Sequence, residues 1–95
     1  MLIELRFKTP FRAVFGLEQM EVEVPVGSTI QDVVDILVER PGVMKKLTDL
    51  RLIRDGELMA FYAINKHVRG GIIVTSERVL EESDVLTILG SHIGG

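Results

Sequence analysis

Cysteine is absent from the 95 residues. No disulfide framework, thiolate metal site or cysteine nucleophile is therefore available, and a small domain without cross-links must be held by its core alone. The same absence favours an intracellular, cytoplasmic setting. Tryptophan is missing too, and aromatics make up only 5%. A net charge of −3 is the opposite of the basic footprint that carries nucleic-acid affinity, so no nucleic-acid partner is expected. No apolar run approaches the ~18 residues that a membrane span needs, so no membrane is expected either. The opening stretch Met1–Lys8 alternates apolar with charged residues and is not a signal peptide. A hydrophobic share of 46% against 26% charged is the ordinary globular balance, and the length allows one domain with a single core.

What is present is strongly patterned. Ile3, Leu5 and Phe7 alternate with Glu4, Arg6 and Lys8, which is period two and predicts a strand. Residues 9–17 hold Pro10 and Gly16 and read as a loop. Met20, Val22 and Val24 alternate with Glu21 and Glu23, a second strand that forms a hairpin with the first. The period then changes. Ile30, Val33, Val34, Leu37 and Val38 keep helical spacing, Ser28 with Gln31 fits a capping box, and Arg40-Pro41-Gly42 stops the run, so a helix is expected at about 29–40. One short helical turn fits residues 43–49. Residues 50–58 are ambiguous, with Asp55-Gly56 as a turn signal. Residues 59–65 are dense in β-formers and predict a strand buried on both faces. Ile72–Val74 and Val85–Leu89 complete the strands. A hairpin, a helix crossing over it and further strands give an α+β fold in two layers: a mixed four- to five-stranded sheet with one main helix packed on one face, the β-grasp arrangement. Residues 1–89 form this domain, and residues 90–95 form a flexible tail.

Catalytic groupings are missing. His67 and His92 have no carboxylate at a diagnostic metal spacing, so no metal or bound cofactor is expected. Gly70-Gly71 lacks the Gly-Lys-Ser/Thr of a phosphate loop and reads as a turn pair. Glu81, Glu82 and Asp84 read as a solvated turn before the last strand. The remaining feature is the end of the chain, Gly90-Ser91-His92-Ile93-Gly94-Gly95. With Gly at about 7% of residues, a final pair arises by chance roughly once in 200 chains. A frayed tail or an expression scar is the plain reading. The chemical reading is that Gly94 and Gly95 remove every Cβ near a mobile α-carboxylate, which can then thread a narrow channel in a partner. That carboxylate is ionised at neutral pH, and the tail holds no Lys or Arg. The partner's channel must therefore supply the positive charge.

Several segments in this order resemble the MoaD/ThiS family of ubiquitin-like sulfur carriers. They are Val22-Glu23-Val24-Pro25-Val26-Gly27-Ser28-Thr29-Ile30, Pro41-Gly42-Val43, Asp55-Gly56-Glu57-Leu58, Ile64-Asn65-Lys66, Leu80–Ile88 and the terminal Gly94-Gly95. The family's usual Pro-Pro-Val tail is replaced by Gly90, Ser91, His92 and Ile93; Ser83 and Lys66 stand for customary glycines; and residues 72–75 look like a small insertion. The resemblance implies a ubiquitin-like β-grasp. It implies that an ATP-dependent adenylating enzyme activates the Gly95 carboxylate, with Gly94 beside it, and that a thiocarboxylate follows. ATP belongs to that partner, and this chain binds no cofactor. Closest in segment pattern is the small subunit of molybdopterin synthase, whose tail, here Gly90, Ser91, His92 and Ile93, enters a large catalytic subunit. Such a chain is a carrier or non-catalytic subunit rather than an enzyme alone. A thiamine-pathway carrier, a protein modifier joined to target lysines, and an interaction module with an idle tail remain open. For partner docking, an apolar patch is expected on the sheet face opposite the helix, with Phe7, Phe61 and Leu89 beside Arg6 or Arg69 as candidates; for Phe7 a core position is the stronger expectation.

Overall fold

The computed structural model describes residues 1–64 and 72–90. Strand β1 (Leu2–Phe7) pairs antiparallel with β2 (Gln19–Glu23), with Leu5 opposite Met20. Its other edge pairs in parallel with β7 (Val85–Gly90), the last strand, with Leu5 opposite Leu86. Strand β5 (Ala60–Ile64) lies antiparallel on the far side of β7, and β6 (Ile72–Val74) closes that edge. The five-stranded mixed sheet thus runs β2-β1-β7-β5-β6, with the first and last strands of the chain side by side at its centre. A separate two-stranded hairpin, β3 (Ile53–Arg54) with β4 (Glu57–Leu58), uses the Asp55-Gly56 turn that left residues 50–58 ambiguous in the sequence. The expected β-grasp is present.

Helix α2 (Ile30–Val38) buries Ile30, Val33, Val34 and Leu37, four of the five positions its spacing selects, in one core with Ile3, Leu5, Phe7, Leu86 and Ile88 of the central strands, and Val38 is partly buried beside them. Its capping differs from expectation by one residue. Thr29 Oγ1 accepts from the Asp32 N–H at 3.1 Å, and Asp32 Oδ2 accepts from the Thr29 N–H at 2.9 Å. Ser28, the expected cap, is buried and donates its hydroxyl to the Pro25 carbonyl at 2.7 Å. Two adjacent hydroxyls compete for one helix end, and the one followed three residues later by a carboxylate completes the reciprocal pair.

The expected loop at 9–17 contains helix α1 (Phe11–Phe15). Phe11 and Val14, one turn apart, are buried under it, and Phe15 stacks on Phe7 with ring centroids 4.5 Å apart. Gly16 ends the helix at φ 77°, a left-handed conformation that glycine takes without a Cβ penalty. The short turn expected after Pro41-Gly42 is helix α3 (Val43–Asp49), which buries Val43 and Leu47.

Candidate functional site

The chain's chemistry was expected in its tail, so the site begins where the tail begins. Gly90 is the last residue of β7, paired with Ala60 of β5. This corrects the expected boundary by one residue: a glycine breaks no ladder when β5 offers it a backbone partner, and the central strand continues through it. Ser91, His92, Ile93, Gly94 and Gly95 lie outside the described residues, as do Asn65 to Gly71 with His67, Arg69 and the Gly70-Gly71 pair.

Two surfaces flank the root of the tail. The first is the sheet face turned away from α2. Phe61 and Leu89 are direct cross-strand partners, so both project from this face, while their neighbours Tyr62 and Ile88 project into the core. Phe61 is 38% exposed and Leu89 half-buried. Ala63 and Ile73 pair next along the same face, and Ile73 is 59% exposed. Strand β5 is buried on both faces from Tyr62 to Ile64, as expected, with Ala63 only 6% exposed on the outer side; half-buried Ala60 and exposed Phe61 open its first residues. Towards β1 and β2 the face turns polar, with Glu21 and Glu23 exposed and Arg6 Nε on Glu4 Oε2 at 2.6 Å. That exposed pair adds little stability, about 0–1 kcal/mol. Of the candidate docking residues, Phe61 and Leu89 take part in the patch. Phe7 is only 1% exposed and belongs to the core.

The second surface is a cleft of about 660 Å³ lined by Thr9, Pro10, Leu50, Arg51, Leu52, Met59 and Gly90. Sequence reasoning missed it, because it is assembled from the loop after β1, the end of α3 and the start of β5, which no local pattern brings together.

Catalytic equipment is not found among the described residues. They contain no cluster of three or more His, Asp or Glu able to hold a metal ion, and none of their helices is long and apolar enough to cross a membrane. Asp84, read from sequence as a solvated turn residue, is instead 1% exposed, and its Oδ2 accepts from the Glu81 N–H at 2.7 Å. It ties the turn that feeds β7 into the centre of the sheet. The Tyr62 hydroxyl is pushed from its ordinary value of 10.0 up to about 12 by burial first, then by the nearby Asp35 and Glu57 charges. It stays protonated and serves no acid-base role near neutrality. The unfolded chain releases this proton near pH 10.0 and the folded chain only near about 12, so the associated stability is intact below pH 10 and lost as pH rises towards 12. Alkaline denaturation curves should therefore show a decline over that window that Tyr62→Phe flattens; an unchanged decline in the variant would contradict the assignment.

No protein-family model and no curated protein matches the chain. Solved structures do. SAMP1 of Haloferax volcanii, a small archaeal modifier protein, is similar at 24% identity with a TM-score of 0.70, covering 100% of both chains. A chain of the complex of subunits 1 and 2 of molybdopterin-converting factor from Helicobacter pylori is similar at 21% identity with a TM-score of 0.59, again covering 100% of both. A chain of the BexX/CysO complex of Amycolatopsis orientalis is 26% identical with a TM-score of 0.54, covering 98% of this chain and 99% of that one. These ubiquitin-like β-grasp neighbours meet the resemblance read from residues 22–30, 41–43, 55–58 and 80–88.

Proposed function

We propose that this chain is a sulfur carrier of molybdenum- or tungsten-cofactor synthesis, working through the carboxylate of Gly95. The observation that carries the reading is the junction at Gly90. The central strand β7 of a β-grasp ends at Gly90 beside an exposed apolar patch, the sequence runs on from there to Gly94-Gly95, and the described residues hold no metal-binding cluster. The domain is a handle, and the chemistry belongs to its end.

In this scheme the Gly95 carboxylate oxygen attacks the α-phosphorus of ATP on an adenylating partner, and pyrophosphate leaves. A persulfide sulfur then attacks the acyl carbon and AMP leaves. A thiol cleaves the resulting sulfur–sulfur bond, which reduces the outer sulfur to a Gly95 thiocarboxylate and oxidises the thiol to a disulfide. The thiocarboxylate is the nucleophilic sulfur that a chain without cysteine cannot otherwise present. It is offered to the large subunit of a molybdopterin synthase, which Phe61, Leu89 and Ile73 would hold while Gly90, Ser91, His92 and Ile93 thread towards its active site. Neighbours known as complexes with a second protein support such docking.

The likeness to a small archaeal modifier protein favours a second reading, in which the activated Gly95 is joined to lysines of other proteins. Deleting the gene tests the first reading. The cell's molybdenum or tungsten enzymes should lose activity and regain it with the full-length chain. Unchanged enzyme activities, together with C-terminal peptides of this chain joined through Gly95 to lysines of other proteins, would replace the carrier by the modifier.

A further inference from the structure

We infer that the cleft at the root of the tail, with its apolar lining and Arg51, is the anchor by which the adenylating enzyme holds this chain, receiving an enzyme segment that pairs an apolar side chain with a carboxylate. The inference rests on the adenylation proposed above, which the carrier and the modifier readings share.

Arg51 is the first observation. Helix α3 ends in paired backbone bonds, the Arg51 N–H to the Thr48 carbonyl at 3.0 Å and the Leu52 N–H to the Leu47 carbonyl at 2.8 Å. This closure needs a left-handed residue at position 51, and glycine is the usual occupant. Gly16 fills the left-handed position at the end of α1. Here an arginine takes it at φ 59°. Asp55 and Ser83 are left-handed as well, but of the three only Arg51 lines the cleft, where it places a cation at a position glycine would fill with less strain. Arg51 is exposed and forms no ion pair among the described residues.

The surroundings of Arg51 supply the rest. Leu50, at 52% exposure, Leu52, Met59 and Pro10 make the cleft mostly apolar, and its volume of about 660 Å³ admits side chains of a partner. Among the described residues Arg51 is its one charged lining residue, so the complementary group is a carboxylate, which a guanidinium binds through two parallel hydrogen bonds. Gly90 is at once a wall of the cleft and the last strand residue before the tail. Residues 91–95 extend roughly 17 Å at most. An enzyme that grips the Gly95 carboxylate must therefore stand over this end of the sheet, within reach of the cleft. On a chain of net charge −3, a local cation also selects for the acidic segment that the remaining surface repels.

The test is ATP–pyrophosphate exchange by the cell's adenylating enzyme, with the full chain as the varied substrate. Arg51→Gly should raise KM for the chain about tenfold with kcat unchanged, because one charge-assisted pair is lost. The same variant should melt no lower than the parent, because the left-handed position is relieved, so the weaker binding cannot come from unfolding. Leu50→Ser should raise KM in the same direction. Unchanged KM in both variants, with normal exchange by the parent chain, would overturn the anchor and leave the proposed function standing. Concentration-dependent self-association lost in Leu50→Ser, with KM unchanged, would assign the cleft to a second copy and overturn it as well. No exchange by the parent chain would defeat the proposed function, and the anchor with it.

Discussion

Removing Gly95, or Gly94 together with Gly95, should abolish adenylation and sulfur loading while leaving the fold intact. Among the described residues the core ends at Ile88 and the last strand at Gly90. The truncation removes at most two residues without side chains and none of these core positions, and changes away from packing stay within about 0.5 kcal/mol. For a domain of this size the melting temperature should move by less than about 4 °C. The chemical loss is far larger. Without Gly95 the new carboxylate stops roughly 3.5 Å short of its place. Misplacement of a reacting group by about 1 Å already costs on the order of a hundredfold in rate. A melting temperature lowered by tens of degrees would mean that the tail is part of the core. Full sulfur loading of the truncated chain would mean that the tail carries no chemistry.

Phe7→Ala should have the opposite profile, with a large loss of stability. Phe7 is 1% exposed, lies at the centre of the sheet beside β7 and stacks on Phe15 at 4.5 Å. Truncating a buried phenylalanine costs about 3–5 kcal/mol. A domain of this length has about 5–14 kcal/mol in all. The melting temperature should fall by about 15–30 °C. Phe61→Ala removes the same ring from the open face and should leave the melting temperature within a few degrees of the parent. It should instead weaken binding to the acceptor subunit. Denaturation and binding measured on both variants separate the two rings. Equal destabilisation would contradict the assignment of Phe61 to a docking face.

These two phenylalanines also show how far the sequence could be read. Both stand in strand-like stretches; alternation states that residues 3, 5 and 7 share a face without stating which face the helix covers, and the unbroken run at 59–65 gives no face at all. The pairing of β1 with β7 decides that, and it joins residues more than 70 positions apart. The helix α2 was legible because its apolar spacing is local, and its cap was placed one residue early because Ser28 and Thr29 offer the same hydroxyl. Helix α1 was hidden by Pro10 and Gly16, which suggest a loop, although the burial of Phe11 and Val14 is what makes those residues helical. Asp84 resembled a solvated acidic turn because its burial comes from the sheet it feeds rather than from its neighbours in the chain. The cleft around Arg51 was not legible at all: the helical turn at 43–49 could be read, but no glycine marks position 51 as the left-handed residue that closes it. The terminal Gly94-Gly95, by contrast, is visible only as sequence.

The most direct measurement is the intact mass of the chain, purified through an N-terminal tag from a cell with active molybdenum or tungsten enzymes. A fraction should be heavier by the replacement of one oxygen with one sulfur, with the shift confined to the C-terminal peptide that contains Gly95 and absent after Gly95 is deleted. A single unshifted mass in such cells, with the adenylating enzyme present and active on the chain, would contradict the account.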